Sequence, residues 1–519
     1  MSQDSRPKHN PWLIAMVVTL AAFMEILDTT IVNVSLRHIA GGMSVSYDDA
    51  TWTMTSYLVA NGIVLTLSGF LARTLGRRRY FLICLGMFTM ASVACGISTN
   101  LAELVAFRAM QGFFGGGLQP TQQSILLDTF GPEQRTKAFG LTAVATVVAP
   151  AIGPAIGGWI TDNFGWPWIF FINVPIGVLA LFGVAALVED SPSSRAQGLK
   201  HVDGIGIALI ALGLGCLQVA LDRGEDEDWF GSGFIRVFAC LAVVGLLGAV
   251  AWLMSARRPV INIRVYADRN FAMASVLMAA MAILLYGSIV LLPELAQTVL
   301  GYTATLSGLI LSPGAALLIL LIPVVVQMQK VIPTKYVIGL GFFLLALAMF
   351  YSCLVAPDVS FNRLMMMRVV QAGGLAFLFA PLTTIAFANV AQKDNGDASA
   401  LFTMCRNVCG SIGISISSAL VTDRTQIHMA HLTPHLSPLD PGYVSALQQL
   451  HGNLQALGGR AGAAIDESVA HLIYTADQTQ AAILAYADLF AYAGVGALCV
   501  LPLVFLLTGK TGGEAHAGG

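Results

Sequence analysis

The chain has 519 residues, of which 56% are hydrophobic and only 11% charged, against about 25% charged in an average soluble protein. That balance excludes a soluble globular domain and points to an all-α polytopic membrane protein. A formal net charge of -2 offers no electrostatic basis for binding nucleic acid. The eight cysteines all fall inside apolar runs, with no metal-ligand spacing and none placed for an exposed disulfide.

Apolar runs bounded by polar punctuation predict fourteen spans, near 12–36, 50–72, 80–98, 102–127, 136–160, 167–188, 204–221, 235–254, 271–299, 304–327, 334–356, 362–390, 398–421 and 480–508. The polar start MSQDSRPKHNP and the length of the apolar stretch behind it do not fit a cleaved signal peptide. With the amino terminus inside, 18 of the 27 Lys and Arg fall in cytoplasmic segments. The positive-inside rule therefore places both termini in the cytoplasm. The implied divisions are a tail over 1–11, a six-helix bundle over 12–188, a linker with two additional helices over 189–270, a second bundle over 271–508 and a tail over 509–519. Residues 422–480 form an external segment within the second bundle, long enough to carry short surface helices of its own.

Span 1 carries Glu25 and Asp28, three residues apart and so on one helix face. An acid at mid-bilayer costs roughly 2.5–3.5 kcal/mol on insertion scales, so this pair is expected to face a watery cavity and exchange protons, or else to be a static pair held by an arginine. Asn33 lies further along the same span, as a cavity candidate. Between spans 2 and 3, GFLARTLGRRR places Gly69, Arg73, Gly76 and Arg77 in a tight cytoplasmic turn, read as a gating loop or as an orientation signal alone. Span 4 carries Arg108, Gln111, Gln119 and Gln122 within roughly an 80° stripe, one polar wall of a cavity. Arg108 and Asp28 lie at matching depths, so Arg108 is expected to contact Asp28 or Glu25 if their helices adjoin.

Span 5 contains APAIGPAIGGW, in which Gly153 and Gly157, followed by Gly158, give a close-packing face while Pro150 and Pro154 bend the helix. Asn173 and Pro175 enter span 6. Glu294, near the outer end of span 9, is read first as structural and second as a cavity acid. An internal repeat also emerges: at an offset of 260, Arg108 and Gln111 align with Arg368 and Gln371, and Gly153 aligns with Gly413. Two bundles related by duplication put a transport site at their interface.

Taken in order, LDTTIVNV, RAMQG, GPAIGG, WPWIFFINVPIG, LDRGEDEDWF and GYTATLSG resemble the fourteen-helix drug:proton antiporters of the major facilitator superfamily, of the EmrB type, over essentially the whole chain. That resemblance implies the major facilitator fold and proton-driven export of hydrophobic or amphipathic drugs. It also implies coupling at Asp28, proton transfer involving Arg108, and a periplasmic membrane-fusion adaptor and outer-membrane channel as partners in a bacterial inner membrane. No cofactor beyond the proton gradient is implied, and no catalytic or metal site. Arg73 stands where the family's cytoplasmic signature usually carries an acid. The alternatives are a dedicated exporter of fatty acids, siderophores or another metabolite, and a non-transporting receptor or scaffold that uses 422–480.

Overall fold

The computed structural model describes residues 9–189, 203–257, 259–436, 441–456 and 463–508. The expected tails over 1–8 and 509–519, most of the link over 190–202, and residues 437–440 and 457–462 of the expected external segment lie outside the described residues. Within them, no strand interrupts a wholly helical fold.

Helix α1 (Pro11–Met43) begins where the Asn10 side chain accepts the Trp12 N–H at 2.9 Å and Pro11 supplies a preset φ at the first position. It is followed by α2 (Tyr47–Leu75) and α3 (Arg77–Gly96), joined through Gly76 at φ 87°, a left-handed value that favours glycine. Two helices follow, α4 (Leu101–Gly115) and α5 (Leu118–Thr129). Next come α6 (Pro132–Phe164), the short α7 (Trp168–Phe171) and α8 (Asn173–Leu187), completing the first bundle. Helices α9 (Gly204–Arg223) and α10 (Gly233–Ser255) pack on each other, and α9 also packs on α2.

The second bundle comprises α11 (Arg269–Glu294), α12 (Ala304–Val331), α13 (Thr334–Ser352), α14 (Phe361–Ala376), α15 (Phe379–Ala386), α16 (Asn395–Leu432), α17 (Pro441–Ala456) and α18 (Ala463–Val504). Its pairings repeat those of the first. Helix α1 lies on α6 as α11 lies on α16; α2 lies on α4 as α12 lies on α14; α3 contacts α4 and α8 as α13 contacts α14 and α18. The α4–α5 break recurs between α14 and α15. The halves meet along α6 with α12 and α2 with α16, and α9 covers the second seam by touching both of its helices. The segment 422–480 is largely a continuation of α16 and α18, with α17 against α18.

Of the expected fourteen spans, length and apolar character account for twelve or thirteen. Among the described residues, twelve helices are long and apolar enough to cross a membrane, and α6 makes a thirteenth if its two arms, bent by 41° between Pro150 and Ile152, count as one. The sequence 102–127 is not among them. Its run Gly115–Gly116–Gly117 divides the helix, and Arg108, Gln119, Gln122 and Gln123 dilute its apolar character.

Gly112 lies where a Cβ would collide with the Tyr57 carbonyl oxygen, a backbone atom with no freedom to yield. Gly112→Ala is therefore expected to destabilise the protein by about 1–3 kcal/mol through overpacking, read as a lower melting temperature in detergent. Gly62→Ala, with nothing within 4 Å of the added carbon, is expected to leave it unchanged or slightly raised.

Candidate functional site

The two acids of α1 diverge into separate buried settings. Asp28 is 0% exposed, as is Arg108, whose Nη1 donates to Asp28 Oδ2 at 2.6 Å. Gln111 Nε2 and Asn173 Nδ2 donate to Asp28 Oδ1 at 3.0 and 2.6 Å. Both amides also donate to Ser92 Oγ at 2.9 Å, so α1, α3, α4 and α8 close on one carboxylate. Arg108 is satisfied further by Gln111 Oε1 at 2.7 Å and the Thr53 carbonyl at 3.2 Å. An ion pair this deep holds only with its remaining hydrogen-bonding groups met, which these neighbours provide.

Glu25 has no direct cation partner among the described residues. Its carboxylate accepts from Asn61 Nδ2 at 2.9 Å, from the Tyr57 hydroxyl at 3.3 Å, and from Gln119 Nε2. The Tyr57 ring lies under the Arg108 guanidinium, 4.2 Å from its centroid, and so joins the two acid sites. Gln119 Oε1 accepts from Arg406 Nη2 of α16. The result is a continuous buried chain, Asp28–Arg108–Tyr57–Glu25–Gln119–Arg406, that starts in one half of the molecule and ends in the other.

The glutamines of the expected cavity wall are buried, and their amides are engaged within the protein. Gln111 and Gln119 serve the acids, while Gln122 Nε2 donates to Thr19 and Thr142 at 3.1 and 2.8 Å. The acids likewise sit in protein, Glu25 at 3% exposure, rather than facing the open water expected of them. Asn33 is exposed and stands apart from the chain; Glu294 is half-buried at the end of α11, where a π-helical turn begins. Gly153 and Gly157 pack against Thr30 and Ile31 of α1, Gly158 is buried beside them, and Pro150 and Pro154 lie inside α6.

At the face of the bundle that holds Asn10, Arg73 of α2 pairs with Asp397 of α16 across the two halves. Asp397 also accepts the Asn262 N–H at 3.1 Å, and Arg73 donates to the Val260 carbonyl at 3.0 Å, so the segment after α10 is tied into the same closure. Arg77 pairs with Asp128 within the first half. Gly69 admits α16 closely, since a Cβ there would meet the Gly396 carbonyl at 2.9 Å. Three further contacts sew this seam: Thr403 to Gln123 at 3.3 Å, Thr384 to Thr136 at 3.2 Å and Asn395 to Asp128 at 3.5 Å.

Sequence reasoning did not identify Tyr57, Asn61, Ser92, Asn173, Asp397 or Arg406 as members of these networks. Asn173 was noted only as a residue entering span 6. A separate apolar cavity of about 540 Å³ lies beside the seam, lined by Leu214, Leu246, Leu253, Ile261, Leu401 and Met404, with exposed Arg264 at its edge.

Comparison with known proteins fits this architecture. The sequence matches the Major Facilitator Superfamily over residues 18–421. It is 36% identical to the multidrug export protein EmrB of Haemophilus influenzae, over 85% of this chain and 86% of that one. It is 31% identical to the fatty acid resistance protein FarB of Neisseria gonorrhoeae, over 97% of each. In fold it resembles a bacterial homologue of the human drug peptide transporters PepT1 and PepT2, with a TM-score of 0.59 and 15% identity, over 96% of this chain and 98% of that one.

The Arg73–Asp397 pair generates a direct test. Asp397→Asn and Arg73→Gln are each expected to cost about 1–3 kcal/mol, below the range for a fully buried pair because Arg73 keeps some exposure. The reciprocal exchange Arg73→Asp with Asp397→Arg is expected to recover most of that loss in melting temperature. An exchange no better than the single variants would show that the pair does not hold the halves together.

Proposed function

The chain belongs to the Major Facilitator Superfamily, and from that premise we propose that it is a proton-coupled antiporter that exports hydrophobic and amphipathic drugs across a bacterial inner membrane. It is a membrane transporter and not an enzyme. The observation that carries the reading is the buried chain from Asp28 to Arg406. It contains two carboxylates able to take protons, and its links cross from one bundle to the other.

In this scheme, α4 and α5 together form the fourteenth span, both termini are cytoplasmic, and the Arg73–Asp397 face is the cytoplasmic gate. A proton arriving from outside neutralises Glu25 or Asp28. Protonation of Glu25 breaks no ion pair, since its partners are neutral donors. Protonation of Asp28 releases Arg108, which retains Gln111 Oε1 and the Thr53 carbonyl as acceptors. Either event alters the Gln119–Arg406 link and with it the balance between closed and open arrangements of the halves. Cargo and proton compete for the same conformational equilibrium, and that competition is sufficient for coupling. A charge moved through the full membrane potential supplies about 2.3 kcal/mol per 100 mV.

The lateral apolar cavity of about 540 Å³ suits a lipophilic cargo entering from the inner leaflet. Similarity to both EmrB and FarB supports the further proposal that the pump works with a periplasmic adaptor and an outer-membrane channel. A second reading, a dedicated fatty acid exporter, draws support from the end-to-end alignment with FarB.

Everted vesicles carrying a respiration-driven pH gradient, followed by a fluorescent dye, test the proposal. Lipophilic cations, uncouplers and decanoate are added in turn to vesicles holding the wild type, Asp28→Asn, Glu25→Gln or no transporter. Drug-dependent collapse of the gradient is expected with the wild type and is expected to be lost in Asp28→Asn. Normal pumping by Asp28→Asn would refute its role, and Glu25→Gln reports separately on the second acid. A response confined to decanoate would favour the fatty acid reading.

A further inference from the structure

Among the described residues three arginines are at most 2% exposed, and their surroundings differ. Arg108 has Asp28. Arg406 reaches Glu25 through Gln119. Arg368, 1% exposed on α14, has no carboxylate within ion-pair distance among the described residues, and its buried Nε has no hydrogen-bond partner. Its Nη1 makes only two long contacts, to Gln371 Oε1 at 3.3 Å and Ser288 Oγ at 3.5 Å.

The internal repeat explains how this came about. At the same offset of 260 that relates Arg108 to Arg368 and Gln111 to Gln371, Ser92 corresponds to Ser352 and Asp28 corresponds to Ser288. The geometry follows the correspondence. Gln371 Nε2 donates to Ser352 Oγ at 3.0 Å, as Gln111 Nε2 donates to Ser92 Oγ at 2.9 Å. Arg368 reaches toward Ser288 as Arg108 reaches Asp28. The second half therefore keeps the arginine, the glutamine and the serine of the first and has a serine in place of the acid; Tyr57 and Asn173 have no like residue at this offset, where Leu317 and Thr433 stand. Arginine stays protonated in proteins, so this cation has no route to neutrality by losing its proton. A buried charge is stable only when paired.

The geometry points to Arg368, beside Ser288 and Gln371, as a binding site for an anionic group, either a small inorganic anion or the carboxylate of a cargo molecule. The anion takes the place that Asp28 holds in the first half. This inference is independent of the direction and energy source of transport, because it rests on the static charge of the second half.

The test uses the full-length purified protein in detergent at constant ionic strength, with its melting temperature followed in gluconate, chloride or decanoate. The wild type is expected to gain about 2 °C or more, saturably, in chloride or decanoate relative to gluconate. Stabilisation by chloride identifies an inorganic anion site, and stabilisation by decanoate alone identifies a cargo carboxylate site. Ser288→Asp restores the missing carboxylate and is expected to melt higher than the wild type in gluconate, with no further gain from either anion. Arg368→Gln is expected to lose the anion response, whereas Gly62→Ala retains it. Equal melting of the wild type in all three media, or an undiminished anion response in Ser288→Asp, would overturn the proposal.

Discussion

The ion pair between Asp28 and Arg108 is the constraint around which the first bundle closes. It is fully buried, and five helices supply the groups around it: α1 the acid, α2 the Thr53 carbonyl, α4 the arginine and Gln111, α3 Ser92, and α8 Asn173. Removing one member of such a pair costs about 3–5 kcal/mol, because the other is left charged and unpaired. A single charge crossing the full membrane potential gains about 2.3 kcal/mol per 100 mV. The electrical force on one proton is therefore too small to separate the bare pair at ordinary potentials. Separation becomes affordable because Arg108 already holds other acceptors and because the Tyr57 ring remains beneath it.

Tyr57 extends this local arrangement into a global one. Its ring contacts the Arg108 guanidinium and its hydroxyl donates to Glu25, which receives Gln119, which accepts Arg406 of the opposite half. A change of charge at either carboxylate is thus felt at the α5–α16 contact without any long-range field. Arg73 and Asp397 join the same α16 to α2 nearer its start. Helix α16 consequently contacts both the chain that ends at Glu25 and the pair that joins the halves. The two halves are duplicates in pairing and in the Arg–Gln–Ser framework, but not in charge, since Ser288 stands opposite Asp28 in the repeat.

Much of the first bundle's polar chain was legible in the sequence, because charges inside apolar runs are costly and conspicuous. Glu25, Asp28 and Arg108 stood out for that reason; the depth match left Arg108 to meet Asp28 or Glu25, and it is Asp28 that it meets. Asn33 illustrates the limit: 80° round the helix from Glu25, it turns to an exposed side. Tyr57, Asn61, Ser92 and Asn173 are ordinary residues in apolar helices, and only the packing of α2, α3 and α8 against α1 and α4 gives them a role. Asp397 sits close to the start of its helix, where an acid attracts no notice, and its partner Arg73 lies 324 positions away in sequence. The fourth crossing was read as one helix from its polar stripe. The triple glycine that splits it was visible, but the equivalent break between α14 and α15 has no glycine at residues 377 and 378 to signal it.

Under the proposed mechanism, cargo binding and proton binding at Asp28 and Glu25 exclude one another. The most direct measurement is proton release by the purified transporter in weakly buffered solution as a high-affinity drug is added, followed with a pH-sensitive dye. The account predicts that the wild type releases protons in proportion to drug bound, and that a doubly neutralised Glu25→Gln, Asp28→Asn protein binds drug and releases none. Undiminished release from the doubly neutralised protein would contradict it, because the protons would then come from elsewhere in the chain.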